Sequence, residues 1–398
     1  MVSLAVEVSK IIAFYLFISI VIIAICLYIP EMLIVFYFGP RRKTSTEAKI
    51  GKQNLPMVSI ILPVFNEEKV IKTKIRNMLE LNYPKELLEI IIIDGNSSDR
   101  TVDIVSEFRR DGVQLIEQKT RDGNTGAVKM GVTLSKGDII VMSDAEALFD
   151  LDSIRFMVEI FEDPLIGAVS GRQVLVNPTS NLVTKMEMTY ANFFDKMAKA
   201  EGFMYSTLHT KGELVAFRRN VFPFDYPPAK GSIDIGIAFE AVRKGFRTVT
   251  DDKVVFHDVS PDRLRDRNRQ KMQRGTLVQE SLLLNNDMLF NPAFKTFGMV
   301  ILPSNFFVYI IFPIVFLIGL VLTPFALIDL FSYSSLITYI FLFGFLMLLL
   351  IKKSRVFIFT FIHSQIMLLI GLIRIGIIGK PKFTKQVEGT RKIASKKA

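Results

Sequence analysis

From Ile11 to Phe38 the chain is apolar, interrupted at Pro30 and Glu31, and the basic cluster Arg41–Lys43 follows at once. A secretory leader has an apolar core of about 7–15 residues and a small-residue cleavage site. This run is longer, and Gly39-Pro40-Arg41-Arg42-Lys43 offers no such site. Roughly 20 apolar residues cross a bilayer as one helix, so residues 11–38 read as a spanning anchor. Val300–Leu322, Ser332–Ile351 and Val356–Ile378 are each about long enough to do the same. The last contains His363, Gln365 and Arg374, so a re-entrant or interfacial helix is the alternative there.

The middle of the chain has ordinary globular composition. With 398 residues, several structural parts are expected: an N-terminal anchor (1–43), a polar linker (44–55), an α/β unit (56–285), an interfacial segment (286–298), C-terminal helices (299–379) and a basic tail (380–398). The formal net charge is +10, but Lys and Arg gather beside the apolar runs, at Arg41–Lys43, Lys352–Arg355 and Lys380–Lys397. Cations flank spanning helices on the cytosolic side, so the charge points to membrane lipids and not to nucleic acid. This orientation puts the central unit in the cytosol of a multi-pass protein of the cell membrane. A fourth full span would carry the basic tail outside, so either Val356–Ile378 does not cross or the tail is an exception. The single cysteine, Cys26, excludes a disulfide framework and a cysteine-based metal site.

Within 56–285, Val58–Pro63, Glu89–Asp94, Val113–Ile116 and Asp138–Ser143 are short runs rich in Ile and Val. Helical patterns such as Lys69–Leu81 and Thr101–Arg110 lie between them. Apolar strands alternating with helices imply a mostly parallel sheet covered on both faces. Ligands of such sheets bind beyond the carboxyl ends of the strands, so the polar residues after each run carry the chemistry.

Four such segments stand out. Pro63-Val64-Phe65-Asn66-Glu67-Glu68 follows the first strand. Asp94-Gly95-Asn96-Ser97-Ser98-Asp99-Arg100-Thr101 follows the second, where Ser97, Ser98 or Asp99 can cap the helix near Thr101. Ser143-Asp144-Ala145-Glu146 puts two carboxylates one residue apart at a strand end. Both can reach one cation, and magnesium or manganese prefers such oxygen ligands; a solvated acidic turn is the alternative. Lys230-Gly231-Ser232-Ile233-Asp234 opens a helix, where Asp234 is either a cap or a catalytic base. His257, after the strand Val249–Phe256, is either structural, a third metal ligand or a diphosphate contact.

Taken together, VSIILPVFNEEKVI, IIIDGNSSDRTVDIV, GDIIVMSDAEA, KGELVAFRRNVF and SIDIGIAFEAVRKGFR, spread in order over residues 56–280, resemble glycosyltransferase family 2. The resemblance implies a GT-A type, Rossmann-like α/β sheet domain, here flanked by transmembrane helices, as in the branch that holds polysaccharide synthases and polyprenyl-phosphate sugar transferases. It implies a UDP- or GDP-sugar donor, Mg2+ or Mn2+, and a lipid-linked or polysaccharide acceptor. Glu67 and Asp94, with Pro63 beside them, match the family's nucleotide contacts. Asp144 and Glu146 match its metal-binding Asp-x-Asp, with Glu in the second place. Asp234 matches its general base, although the Glu that usually precedes that Asp is Ile233. Lys211 and Gly212 match the acceptor-side loop.

The family's processive members carry Gln-x-x-Arg-Trp, and the nearest stretch is Asn268-Arg269-Gln270-Lys271-Met272-Gln273-Arg274-Gly275. The chain has no tryptophan, so the stacking platform for an acceptor sugar is absent there. Arg269, Lys271 and Arg274 are expected either to hold diphosphate or to form a basic face against lipid headgroups. The expected reaction is inverting transfer of one sugar. A processive synthase and a catalytically degenerate nucleotide-binding scaffold are the alternatives.

Overall fold

The computed structural model describes residues 55–177, 181–227, 230–319, 321–322, 350–378 and 390. The anchor at 11–38, most of the linker, the run Ser332–Ile351 up to residue 349 and the tail apart from residue 390 lie outside the described residues.

The central unit is one eight-stranded sheet in the order β3-β2-β1-β4-β7-β6-β8-β5. Its first half is built by β1 (Val58–Val64), β2 (Leu88–Asp94), β3 (Val113–Glu117) and β4 (Ile139–Ser143), all parallel. The second half is mixed. The short β5 (Leu148–Phe149) runs antiparallel to β8 (Arg247–Asp258), β7 (Leu214–Arg218) antiparallel to both β4 and β6 (Ile166–Leu175), and β6 parallel to β8. "Mostly parallel" therefore describes the first half best.

Side-chain alternation explains why these runs are strands. Ile60 and Leu62 of β1, Ile90 and Ile92 of β2 and Val141 of β4 enter one core. Ile61, Ile91, Ile93, Ile140 and Met142, their sequence neighbours, enter another on the opposite face. A strand buried on both faces must be apolar at every position. Helices cover these faces: α1 (Ile71–Leu79), α2 (Thr101–Ser106), α3 (Gly123–Leu134), α4 (Ser153–Ile160), α5 (Leu182–Met204) and α6 (Ile233–Arg243).

Beyond α6 the chain builds a third core. Phe239 of α6, Leu282 of α7 (Leu264–Leu284), Phe297, Leu302 and Tyr309 of α8 (Phe297–Gly319) and Leu368 of α9 (Lys352–Ile373) meet there. Buried polar contacts reinforce it. Gln279 Nε2 of α7 donates to the Tyr309 carbonyl at 2.9 Å and to that of Leu368 at 2.8 Å. Asn305 Nδ2 of α8 donates to Glu201 Oε1 of α5 at 2.6 Å. The helical stretches Phe297–Gly319 and Ser354–Ile377 have mean hydropathies of 2.3 and 2.2 and are long and apolar enough to cross a membrane.

Candidate active site

The carboxyl ends of β1, β2 and β4 line one edge, and their turns are stitched together. Pro63, the last residue but one of β1, is in register with Ile93 of β2, and Val64 with Asp94. Asn66 and Asn96 adopt positive φ (56° and 66°), which lets both loops turn back over the strand ends. Asp94 is buried and accepts from the Ser97 amide (2.8 Å) and hydroxyl (2.5 Å). Ser97 Oγ accepts from the Asn66 amide, and Thr101 Oγ1 from the amide of Glu67. Asp99 accepts from the amides of Thr101 and Glu68 and so ties the start of α2 to the Glu67 loop. Beside them Arg121 stacks 3.8 Å above the Phe65 ring. These contacts fix Glu67 and Asp94 beyond the sheet edge.

Next along that edge, Asp144 and Glu146 project while Ala145 and Ala147 point into the core. Four carboxyls converge here. Burial, then Glu213 and Glu146, push the Asp144 carboxyl up to about 7, against the pull of Arg274. Burial, Glu146 and Glu213 likewise push Asp258, at the end of β8, well above the usual carboxylate range. For Glu213, burial works upward, but Arg274, Lys211 and hydrogen bonds prevail and hold it below that range. Arg274 of α7 donates to Glu213 directly. Ser143 Oγ joins the two loops by donating to the Glu213 carbonyl at 3.0 Å.

Crowded, half-buried carboxylates are the donor set a hard divalent cation prefers, and a cation would relieve their mutual repulsion. Among the described residues no group of three or more His, Cys, Asp and Glu stands at ligand spacing. Asp144 and Glu146 would supply the protein's share of the ligands, with water and phosphate oxygens the remainder, the habit of magnesium in nucleotide sites. The residues fit such an ion.

Asp234 is the second residue of α6 and is buried; the cap position belongs to Ser232. Burial, together with Glu213, raises its carboxyl, while the Ser232 hydroxyl, which donates to it, works downward. Ile233 lies in the core, so Ser232 supplies the polar support beside Asp234. The loop before Asp234 is held by α7: Glu280 accepts from the Gly231 amide at 2.8 Å, and Ser281 Oγ from that of Ser232 at 3.0 Å. Gly212 lies against Asp234, since a Cβ there would be 3.7 Å from the Asp234 carboxyl carbon. Its neighbour Lys211 is ion-paired with Asp195 of α5.

Two expectations need correction. His257 does not join the carboxylates. Successive strand residues face opposite sides of a sheet; Asp258 turns inward, and His257 Nε2 bonds Asp150 Oδ1 at 2.6 Å on an exposed rim. Lys271 is not a free cation on a basic face either. It is buried, 2.7 Å from Glu187 of α5, which Arg267 approaches to 3.3 Å. Of the three cations read as diphosphate or headgroup contacts, Arg274 is the one the structure pairs with the acidic cluster. Glu213 and Asp258 were missed, because a lone acid bordering a strand carries no signature; the Lys-Gly-Glu step before Leu214–Arg218 was the available hint for Glu213.

Residues 59–223 match the family model described as Glycosyl transferase family 2. Those residues form a family 2 glycosyltransferase domain. The transferase domain is 33% identical over 176 residues to a probable glycosyltransferase of Bacillus subtilis, covering 42% of each chain. It is 35% identical over 139 residues to a beta-monoglucosyldiacylglycerol synthase of Trichormus variabilis, covering 34% of this chain and 30% of that one. It is 25% identical over 191 residues to a poly-beta-1,6-N-acetyl-D-glucosamine synthase of Staphylococcus epidermidis, covering 47% and 46%. The matches thus span less than half the length of these relatives. Among solved structures, the mannosyltransferase PcManGT from Pyrobaculum calidifontis, in complex with GDP-Man and Mn2+, superposes with a TM-score of 0.73 at 22% identity, covering 92% of this chain and 100% of that one. That likeness shows a shared GT-A fold.

Proposed function

We propose that the protein is a membrane-bound, inverting glycosyltransferase that moves one sugar from a nucleotide-sugar to a lipid-linked or membrane-proximal acceptor. The observation that carries this reading is electrostatic: the Asp144 carboxyl, at the expected leaving-group end, and the Asp234 carboxyl, at the expected acceptor end, are both raised by burial and both feel Glu213. Groups whose pKa values are shifted by burial and a specific charged neighbour cluster at acid–base sites.

In this reading Glu67 and Asp94 hold the nucleoside. Asp144 and Glu146 would hold Mg2+ or Mn2+, which when bound offsets charge on the departing diphosphate. Arg274 adds a fixed positive charge there. Asp234, as carboxylate, accepts the proton of the acceptor hydroxyl as its oxygen attacks the anomeric carbon and the bond to the diphosphate oxygen breaks. Burial favours this, because a base whose pKa lies nearer the working pH is more effective. Gly212 leaves room beside Asp234 for the hydroxyl.

Two observations favour a membrane-proximal acceptor. The apolar helices α8 and α9 are seated on α7, the helix that carries Arg274. They also expose large apolar side chains, including Ile314, Ile318, Phe359 and Ile366. Single transfer is favoured over processive synthesis because Asn268, Arg267 and Lys271 are already engaged, with His363 and Glu187, where a stacking platform would be needed. The test is a radiolabelled-sugar assay on the full chain in lipid, with UDP- and GDP-sugars and Mn2+ or Mg2+, products resolved by size. A single-sugar lipid-phase product is expected; a polymer ladder would replace this reading with processive synthesis. Absence of both transfer and donor hydrolysis would leave the degenerate scaffold.

A further inference from the structure

Lys74 of α1 is wholly buried, with 0% of its surface exposed. Lysine is among the side chains least often buried without a partner, because taking an ammonium out of water is costly. The site given to this one is specific. Its Nζ donates to the carbonyl of Ala147, the residue directly after Glu146, and lies 3.4 Å above the ring of Phe149. Burial drives its pKa well below the usual lysine range, and Asp144 acts in the opposite sense, so the ammonium lies within electrostatic reach of that carboxylate. One turn on, Asn77 grips the same segment from both sides: its amide nitrogen donates to the Phe149 carbonyl at 2.9 Å, and its oxygen accepts from the Phe149 amide at 2.8 Å. One face of α1 therefore holds the backbone of residues 147–149, immediately downstream of the two carboxylates.

A methionine would fill this position at nearly the same length without desolvating a charge. What the amino group adds is an anchor for the 147 carbonyl and, when protonated, a positive charge within electrostatic reach of Asp144. Side chains that orient metal ligands from behind typically change metal affinity about 10–100-fold when removed.

We infer that Lys74, with Asn77, is a positioning residue that holds Asp144 and Glu146 in the arrangement a divalent cation needs. This rests on the reading that those two carboxylates are the cation's ligands. The sign of the effect separates an anchor from a mere charge. A neighbouring positive charge alone opposes cation binding, so its loss would tighten it. Loss of an anchor weakens it.

The test is an Mn2+ titration of the full chain in lipid, following free Mn2+ by electron paramagnetic resonance, with Mn2+ alone as the probe. For Lys74→Met the dissociation constant should rise by at least about tenfold. Asn77→Ala removes a grip on the same segment without touching a buried charge, and it should shift affinity the same way even if Lys74→Met does not fold. Ile75→Val trims the same helix in the core and should lower the melting temperature without altering Mn2+ affinity. Unchanged or tighter binding in a folded Lys74→Met, or in Asn77→Ala when that alone folds, overturns the proposal, as does a matching loss in Ile75→Val. Wild-type protein that binds no Mn2+ would instead remove the metal reading itself.

Discussion

Arg274 of α7 and Glu213 at the start of β7 form an ion pair whose field reaches both Asp144 and Asp258. Arg274 lowers each of these carboxyls, and it is ion-paired directly with Glu213 of the acidic cluster. Replacing it with Gln should let Glu213, Asp144 and Asp258 all rise. Deprotonation is then reached later, so the acid limb of the activity profile should move to higher pH. Loss of the fixed charge at the diphosphate end should also lower transfer by about 10²-fold. A pH–rate profile of Arg274→Gln with an unmoved acid limb would contradict this.

Asp234→Asn keeps the shape of the carboxyl and removes its basicity. Nucleotide binding by calorimetry should survive, and transfer should fall by about 10²–10⁴-fold. Ser232→Ala is the finer test. The Ser232 hydroxyl works to lower the Asp234 pKa, so its loss should raise it, and activity should drop more at pH 6 than at pH 8.

Gly212→Ala tests the acceptor side. A Cβ there meets Met142 Cε at 3.5 Å and the Asp234 carboxyl carbon at 3.7 Å, ordinary contact distances that the fold tolerates. The methyl group fills space that an acceptor hydroxyl would use. The acceptor KM should rise while donor hydrolysis in water is little changed; equal losses in both would remove Gly212 from the acceptor side.

The carboxylate crowd predicts a stability profile. A carboxyl raised in the folded state binds its proton more tightly there than in the unfolded chain, so folding is favoured at low pH and loses that contribution as pH rises between the two pKa values. For Asp144 the window runs from 3.8 to about 7, and Asp258 shifts the same way. Metal-free protein should therefore lose melting temperature across that window. Above it, Mn2+ at a hundred times its dissociation constant should restore about 2.7 kcal/mol. A flat metal-free profile would show that these carboxyls are not crowded.

The sequence made the first half of the sheet readable because each strand there is apolar at successive positions and ends in an acidic turn. Ser97, Asp99 and Thr101 were legible for the same reason: turn and cap chemistry is local. Partners across space were not. Arg267, Lys271 and Arg274 fall on one face of α7 by spacing alone, but spacing does not say that Glu187 waits opposite the first two and Glu213 opposite the third. Nothing local in the Lys69–Leu81 pattern sets Lys74 apart, because the Ala147 carbonyl it meets lies 73 residues away.

Gln279 reaches the carbonyls of Tyr309 and Leu368 together, from a helix whose next two residues, Glu280 and Ser281, hold the Gly231–Ser232 turn. The side chain that fastens the apolar helices and the side chains that aim Asp234 are thus consecutive on one rod. An excised α/β unit ending at residue 285 would expose the amide of Gln279 and the apolar surface of Leu282 to water, on the same turn of helix that sets the base. Truncation at that point would therefore detune the chemistry, and α8 and α9, with whatever covers their exposed apolar side chains, belong to any faithful assay of it.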